Sequence, residues 1–224
     1  MPVFSSPDGS LNILFIHIPK TGGGSVEHFF KKINFGVKYL QTKDAPNTLK
    51  LSCYKCSPQH MHAALLEMIF NIHSFDYVFT LVRHPFNRLL SEYKWNIAKN
   101  KLSRNGINDF YINSRRLYAN NPYALDNHLR PQIEFITEKT RIFKLEDGID
   151  SALKTVLSEL SINVKDPGQH IINQKSKRTE NLLQNPKLSP LLAQESCTPN
   201  STIKELIKID YRRDFEDFSY SFDF

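Results

Sequence analysis

The chain has 224 residues, 40% of them hydrophobic, and a net charge of +6 with a pI near 9.1. That supplies one sizeable core, so a single domain over 1–224 is expected, and no stretch reaches the roughly 18 apolar residues of a membrane helix. Three cysteines make no disulfide framework, and residues 1–10 are polar, lack an apolar signal core and read as a flexible start. A cytoplasmic protein with an anionic partner is the expectation.

In chain order, Leu11–Phe15 is an apolar run of strand length, and Val26, Phe29, Phe30 and Ile33 recur at helical spacing. Between them lies Pro19-Lys20-Thr21-Gly22-Gly23-Gly24-Ser25. A strand that feeds a glycine turn opening a helix is a phosphate site in outline. Bare backbone approaches the ligand closely, and the helix N-terminus offers unpaired N–H groups and a favourable dipole. Lys20 adds a positive charge. The pattern is not a Walker loop, whose glycines precede the lysine; the competing reading is a tight turn with a solvated lysine.

Ser57-Pro58-Gln59-His60-Met61-His62 precedes an apolar helix, 63–70. An imidazole titrates near neutral pH, with an unperturbed pKa of about 6.5, so either His60 or His62 suits a general base. Both could instead be helix-entry residues bonded to backbone. Cys53, Cys56, His60 and His62 also form a set of zinc-ligand types, but structural zinc sites usually separate their ligand pairs by a longer loop.

Phe75–Arg83 reads as a buried strand, and Pro85–Trp95 as the helix after it. Arg83 therefore stands at a strand's carboxyl end, where open α/β sheets bind ligands, and Ser91 lies about two turns into the helix. A guanidinium fork and a hydroxyl suit a second phosphate. Residues 97–128 read as helices and loops outside the sheet, 141–146 as strand-like, and 148–162 as an amphipathic helix capped by Asp147. Loop with short helices follows over 164–200, and one final helix over 203–218.

The two phosphate motifs, 19–25 and 83–91, resemble those of sulfotransferases that use 3′-phosphoadenosine 5′-phosphosulfate. The resemblance is closest to the carbohydrate branch that includes the heparan sulfate 2-O-sulfotransferases. Arg130-Pro131-Gln132, Arg141–Glu146 and Tyr211-Arg212-Arg213-Asp214-Phe215 agree with it. It implies that Lys20, Thr21, Gly22, Gly23, Gly24 and Ser25 hold the 5′-phosphosulfate. Arg83 and Ser91 would hold the 3′-phosphate, and Ser176 and Lys177 would lie in a loop that closes over the nucleotide. His60 and His62 match the spacing of two family histidines, one of which is the base; the resemblance favours His60 as that base, with His62 orienting substrate. The expected fold is a three-layer α/β sandwich with a central parallel sheet and the cofactor across the strand ends.

The expected reaction is in-line sulfuryl transfer to a carbohydrate hydroxyl, with no metal, on an acceptor bearing acidic groups. Lys31, Lys32, Arg115, Arg116, Arg130 and Lys175–Arg178 are the basic residues left over to attract it. Two other classes stand beside this one. A small-molecule or nucleotide kinase shares the strand–loop–helix site, but Lys20 is out of Walker order and no Asp pair for Mg²⁺ follows a strand. A nucleic-acid binder has only the net charge in its favour, because the aromatics fall in apolar runs rather than among basic residues.

Overall fold

The computed structural model describes residues 1–40, 55–98, 106–164 and 197–224. They group into two compact units, Met1–Arg83 with Glu134–Ile172 and His84–Ile133 with Asn173–Phe224. No helix among the described residues is long and apolar enough to cross a membrane.

The first unit is built on five strands: β1 (Val3–Ser5), β2 (Asn12–Ile16), β3 (Gly36–Lys38), β4 (Tyr77–Val82) and β5 (Arg141–Lys144). Their order is β3-β1-β2-β4-β5. β2, β4 and β5 run parallel, with Ile16 opposite Thr80 and Val82 opposite Lys144. This is the expected parallel centre. The sheet as a whole is mixed, because β1 pairs antiparallel with both β2 and β3. The chain start expected to be flexible thus contributes a strand, and Met1 and Phe4 are fully buried. Its apolar residues are too few to announce a strand without the partner that covers them.

Helices α1 (Gly23–Lys32) and α5 (Ile149–Glu159) cover one face of this sheet. Alternate strand residues Ile13, Phe15, Phe79 and Leu81 meet Val26, Phe29, Phe30, Leu153 and Val156 there. Leu14, Ile16, Val78 and Val82, on the opposite face, are buried as well. A central strand buried on both faces explains why 75–83 reads as a continuous apolar run instead of an alternation. A short helix α2 (Ala63–Ile69) completes the unit. Gly148, at φ 93°, takes the N-cap of α5, without a side-chain cap bond, where Asp147 was expected.

The second unit holds α3 (Pro85–Ala98), α4 (Ile107–Asn120), α6 (Ser201–Asp210) and α7 (Arg212–Asp217). The single final helix expected over 203–218 is two helices divided at Tyr211, and Asn200 caps α6 by accepting from the Ile203 N–H. Leu89, Tyr93, Phe110, Tyr111, Ile203, Ile207 and Phe215 form its apolar core.

Inside that unit a polar network holds an awkward turn. Leu125, Asp126 and Asn127 are successive left-handed residues, a conformation that costs a non-glycine residue energy. The buried Arg88 donates to the Arg130 and His128 carbonyls at 2.9 Å each. Arg130 donates to Asn127 Oδ1 at 3.0 Å, and the Tyr211 hydroxyl to the Leu129 carbonyl at 2.9 Å. Asp214, wholly buried, accepts from the Gln132 and Ile133 N–H groups at 2.8 and 2.9 Å. Burial pushes its carboxyl above the usual range, and those N–H bonds and the Arg88 charge oppose the shift.

Asp214→Ala would leave two buried N–H donors unsatisfied, so it should lower stability by about 2–4 kcal/mol. Urea unfolding of the variant checks this. A loss under about 1 kcal/mol would mean that the Asp214 bonds do not hold the turn.

Candidate functional site

The loop at the carboxyl end of β2 is built from constraints on backbone. Lys20 and Gly22 both have positive φ, 71° and 95°. The Thr21 hydroxyl, buried, donates to the Ile18 carbonyl at 2.8 Å, and the Ser25 N–H to the Gly22 carbonyl at 2.9 Å. Arg83, one residue past β4, donates to the Lys20 carbonyl at 3.3 Å. Loop and guanidinium are thus side by side at the strand ends. α1 has no acidic residue in its first turn and two lysines in its last, so no first-turn carboxylate competes for the positive end of its dipole.

The three glycines do different work. A Cβ on Gly22 would need a strained positive φ and would press on Ile149 and Leu145 at 3.0 Å. A Cβ on Gly23 would lie 2.3 Å from Nε2 of His17. At Gly24 a Cβ would meet nothing within 4 Å, and the residue is exposed. The bare, open side of the helix start is therefore at Gly24.

His17 was missed as a functional residue. It is buried at the end of β2, and its Nδ1 lies 2.6 Å from Oε1 of the buried Glu27 on α1. Gln59 donates to the same carboxylate oxygen at 2.9 Å. One signal in the sequence could have found the pair. Glu27 sits beside Val26 and one turn before Phe30 on the inward face of an amphipathic helix, where a carboxylate requires a partner.

His60 ends a 3-10 turn (Pro58–His60) and is half-buried, with its ring edge-on to His17 at 5.0 Å between centroids. The first unit therefore brings together the glycine loop, Lys20, Arg83, His17, Glu27, Gln59 and His60. His62 is buried at the N-cap of α2, and its carbonyl accepts from Leu65 and Leu66. Ser91 is half-buried on α3 and belongs to the second unit. Cys56 is buried, while Cys53, Ser176 and Lys177 lie outside the described residues. In the second unit His128 makes its own carboxylate pair, Nδ1 to Glu92 Oε2 at 2.6 Å.

This arrangement can offer backbone N–H groups, a lysine and an arginine to a polyanion, with a half-buried imidazole against the His17 ring. A model of the sulfotransferase family matches residues 7–221, nearly the whole chain and all of these elements. No curated protein and no solved structure matches the chain.

The neighbouring glycines should respond with opposite signs. Gly23→Ala forces the His17 ring aside and should cost at least about 2 kcal/mol, as overpacking does. Gly24→Ala meets open space and should be neutral or stabilising by about 0.5 kcal/mol. Thermal unfolding of the two variants measures both; equal destabilisation would show that Gly24 is not the open position.

Proposed function

The chain belongs to the sulfotransferase family, and from that premise we propose that it transfers a sulfuryl group from 3′-phosphoadenosine 5′-phosphosulfate to a hydroxyl of a carbohydrate. The observation that carries this reading is the glycine-opened start of α1, bare at Gly24 and flanked by Lys20 and Arg83, with His60 against the His17 ring beneath it.

Lys20 and the first-turn amides of α1 hold the phosphate that bears the sulfuryl group. The acceptor oxygen attacks sulfur in line, forming the new S–O bond as the bond to the 5′-phosphate oxygen breaks. The electron pair of the broken bond stays on that phosphate oxygen, and Lys20 with the amides stabilises its growing charge. His60 takes the acceptor's proton. Its half-buried position leaves a face for the acceptor, whereas His62 is buried at a helix start, which favours His60 as the base and gives His62 a packing role. Gln59, bonded to Glu27, fixes the 3-10 turn that carries His60.

Arg83 is assigned to the 3′-phosphate, with Ser91, Ser176 and Lys177 as its further candidates. The acceptor is taken as a glycan with acidic groups, because Lys31, Lys32, Arg115 and Arg116 are exposed cations beyond those the donor needs. Arg130 leaves that group: it is buried, lies over the Tyr123 ring and spends its donors on Asn127 and Pro122.

Two measurements test the assignment. Arg83→Ala should weaken binding of adenosine 3′,5′-bisphosphate by about 1.5–3 kcal/mol, the range for charge-assisted bonds, and that of adenosine 5′-phosphosulfate much less. Because Arg83 also bonds the Lys20 carbonyl, a merely structural role would weaken both equally. His60→Ala should lower kcat by about 10²–10⁴ with the donor KM little changed. Near-normal turnover in that variant would remove His60 as the base.

A further inference from the structure

One buried imidazole of the first unit touches the glycine loop and has no part in the transfer proposed above. The His17 side chain is 9% exposed, and its two ring nitrogens meet opposite surroundings. Nδ1 lies 2.6 Å from Glu27 Oε1. A carboxylate only accepts, so the proton of the neutral ring sits on Nδ1. Gln59 Nε2 is 2.9 Å from both atoms of that bond and donates to the carboxylate. Nε2 of His17 is left with a lone pair and no hydrogen-bond partner among the described residues.

That nitrogen is aimed at the start of α1. It is the ring atom nearest to the place a Gly23 side chain would take, at 2.3 Å, with Cδ2 and Cε1 at 2.4 and 2.7 Å. A lone pair there faces the positive end of a helix dipole, which suits it while no anion is bound. An anion seated on the first-turn amides reverses the situation. Lone pair and anion repel, whereas an N–H at Nε2 would donate to an anionic oxygen, and charge-assisted bonds are about twice as strong as neutral ones. The charged and titratable neighbours are Glu27 on α1, Lys20 in the loop, Arg83 just past β4, and His60, edge-on to the ring at 5.0 Å. A polyanion in the loop offsets the two cations and leaves the Glu27 carboxylate beside a ring able to take a second proton.

We infer that His17 is a further donor-binding residue: its ring takes up a proton when the 5′-phosphate of the donor or its product enters the glycine loop, and the Nε2–H so formed donates to an oxygen of that phosphate. The proton comes from solvent and leaves with the nucleotide. Glu27 holds the ring through Nδ1 in both states, so the change is confined to the corner that faces the loop. During transfer the same N–H lies on the phosphate whose charge grows as the S–O bond breaks, adding to what Lys20 and the amides supply. The inference rests on the donor reading above and extends it to a residue outside the Pro19–Ser25 motif. A His17 needed only to tie β2 to α1 would keep its single proton throughout.

Calorimetry of adenosine 3′,5′-bisphosphate binding to the full chain, in two buffers of different ionisation enthalpy, reads that proton directly. At about pH 7.5 the phosphates of the probe are largely ionised, their second pKa being about 6. The unaltered protein should take up about half a proton or more per nucleotide bound. His17→Asn keeps an amide where Nδ1 stood and leaves nothing at Nε2, so it should remove the uptake and weaken binding about tenfold. His17→Gln, whose amide can reach the Nε2 position, should recover part of the affinity without the uptake. His60→Ala should leave the uptake in place. Uptake by the unaltered protein and its loss in His17→Gln decide the matter even where His17→Asn does not fold. Bisphosphate that binds without proton uptake, uptake that survives His17→Gln, or uptake that vanishes only in His60→Ala would each overturn the inference and leave the donor reading standing. Absence of bisphosphate binding would overturn both.

Discussion

A carboxylate on the buried face of an amphipathic helix must find a partner or lose its charge, and in this protein that requirement organises the glycine loop. Glu27 meets it with His17, the residue that follows β2, at 2.6 Å. The bond ties the end of a central strand to the second turn of α1, across the stretch that has to turn sharply. It also draws the His17 ring into the space where residue 23 would carry a side chain, so glycine at 23 is a consequence of the pairing. Lys20 and Gly22 absorb the remaining turn with left-handed backbone. What is left facing outward is a helix start with bare backbone at Gly24, and the anion binding proposed for the loop rests on that.

The same carboxylate reaches a separate segment of chain through Gln59, whose neighbour is His60. A single buried acid therefore fixes both the loop proposed to take the leaving phosphate and the turn that carries the base proposed to act on the acceptor. In the proposed mechanism Glu27 orders its neighbours without touching a reacting atom.

Buried charge serves a second purpose elsewhere. Arg88 and Asp214 sit among backbone N–H and carbonyl groups of the 125–133 segment, where three consecutive left-handed residues leave those groups without a regular partner. Isolated buried ions would be costly, but each is surrounded by the hydrogen bonds that the irregular backbone needs in return. The motifs Arg130-Pro131-Gln132 and Tyr211–Phe215 take part in the same network. Their role is to hold a turn, which is why Arg130, however basic, does not act as a surface charge.

The strands β2, β4 and β5, the helices α1, α2, α3 and α5 and the glycine loop were legible in the sequence, because each announces itself locally: an apolar run, a 3.6-residue period, a proline at a helix start, glycines where backbone must be bare. Three kinds of feature depended on tertiary contacts. β1 and β3 are too short to signal: β1 exists because β2 offers it an edge, and β3 because β1 then offers one in turn. The break falls at Tyr211, whose hydroxyl donates to the carbonyl of Leu129, a residue far away in the chain. The partnership of His17 with Glu27, and the separation of His60 from His62 into a half-buried and a buried ring, turn on which atoms meet after folding. Local sequence determined which residues could bind phosphate, since propensity and backbone freedom are properties of neighbours. Only the folded structure decided which histidine lies against the His17 ring, because hydrogen-bond partners and burial are set by contacts between residues distant in the chain.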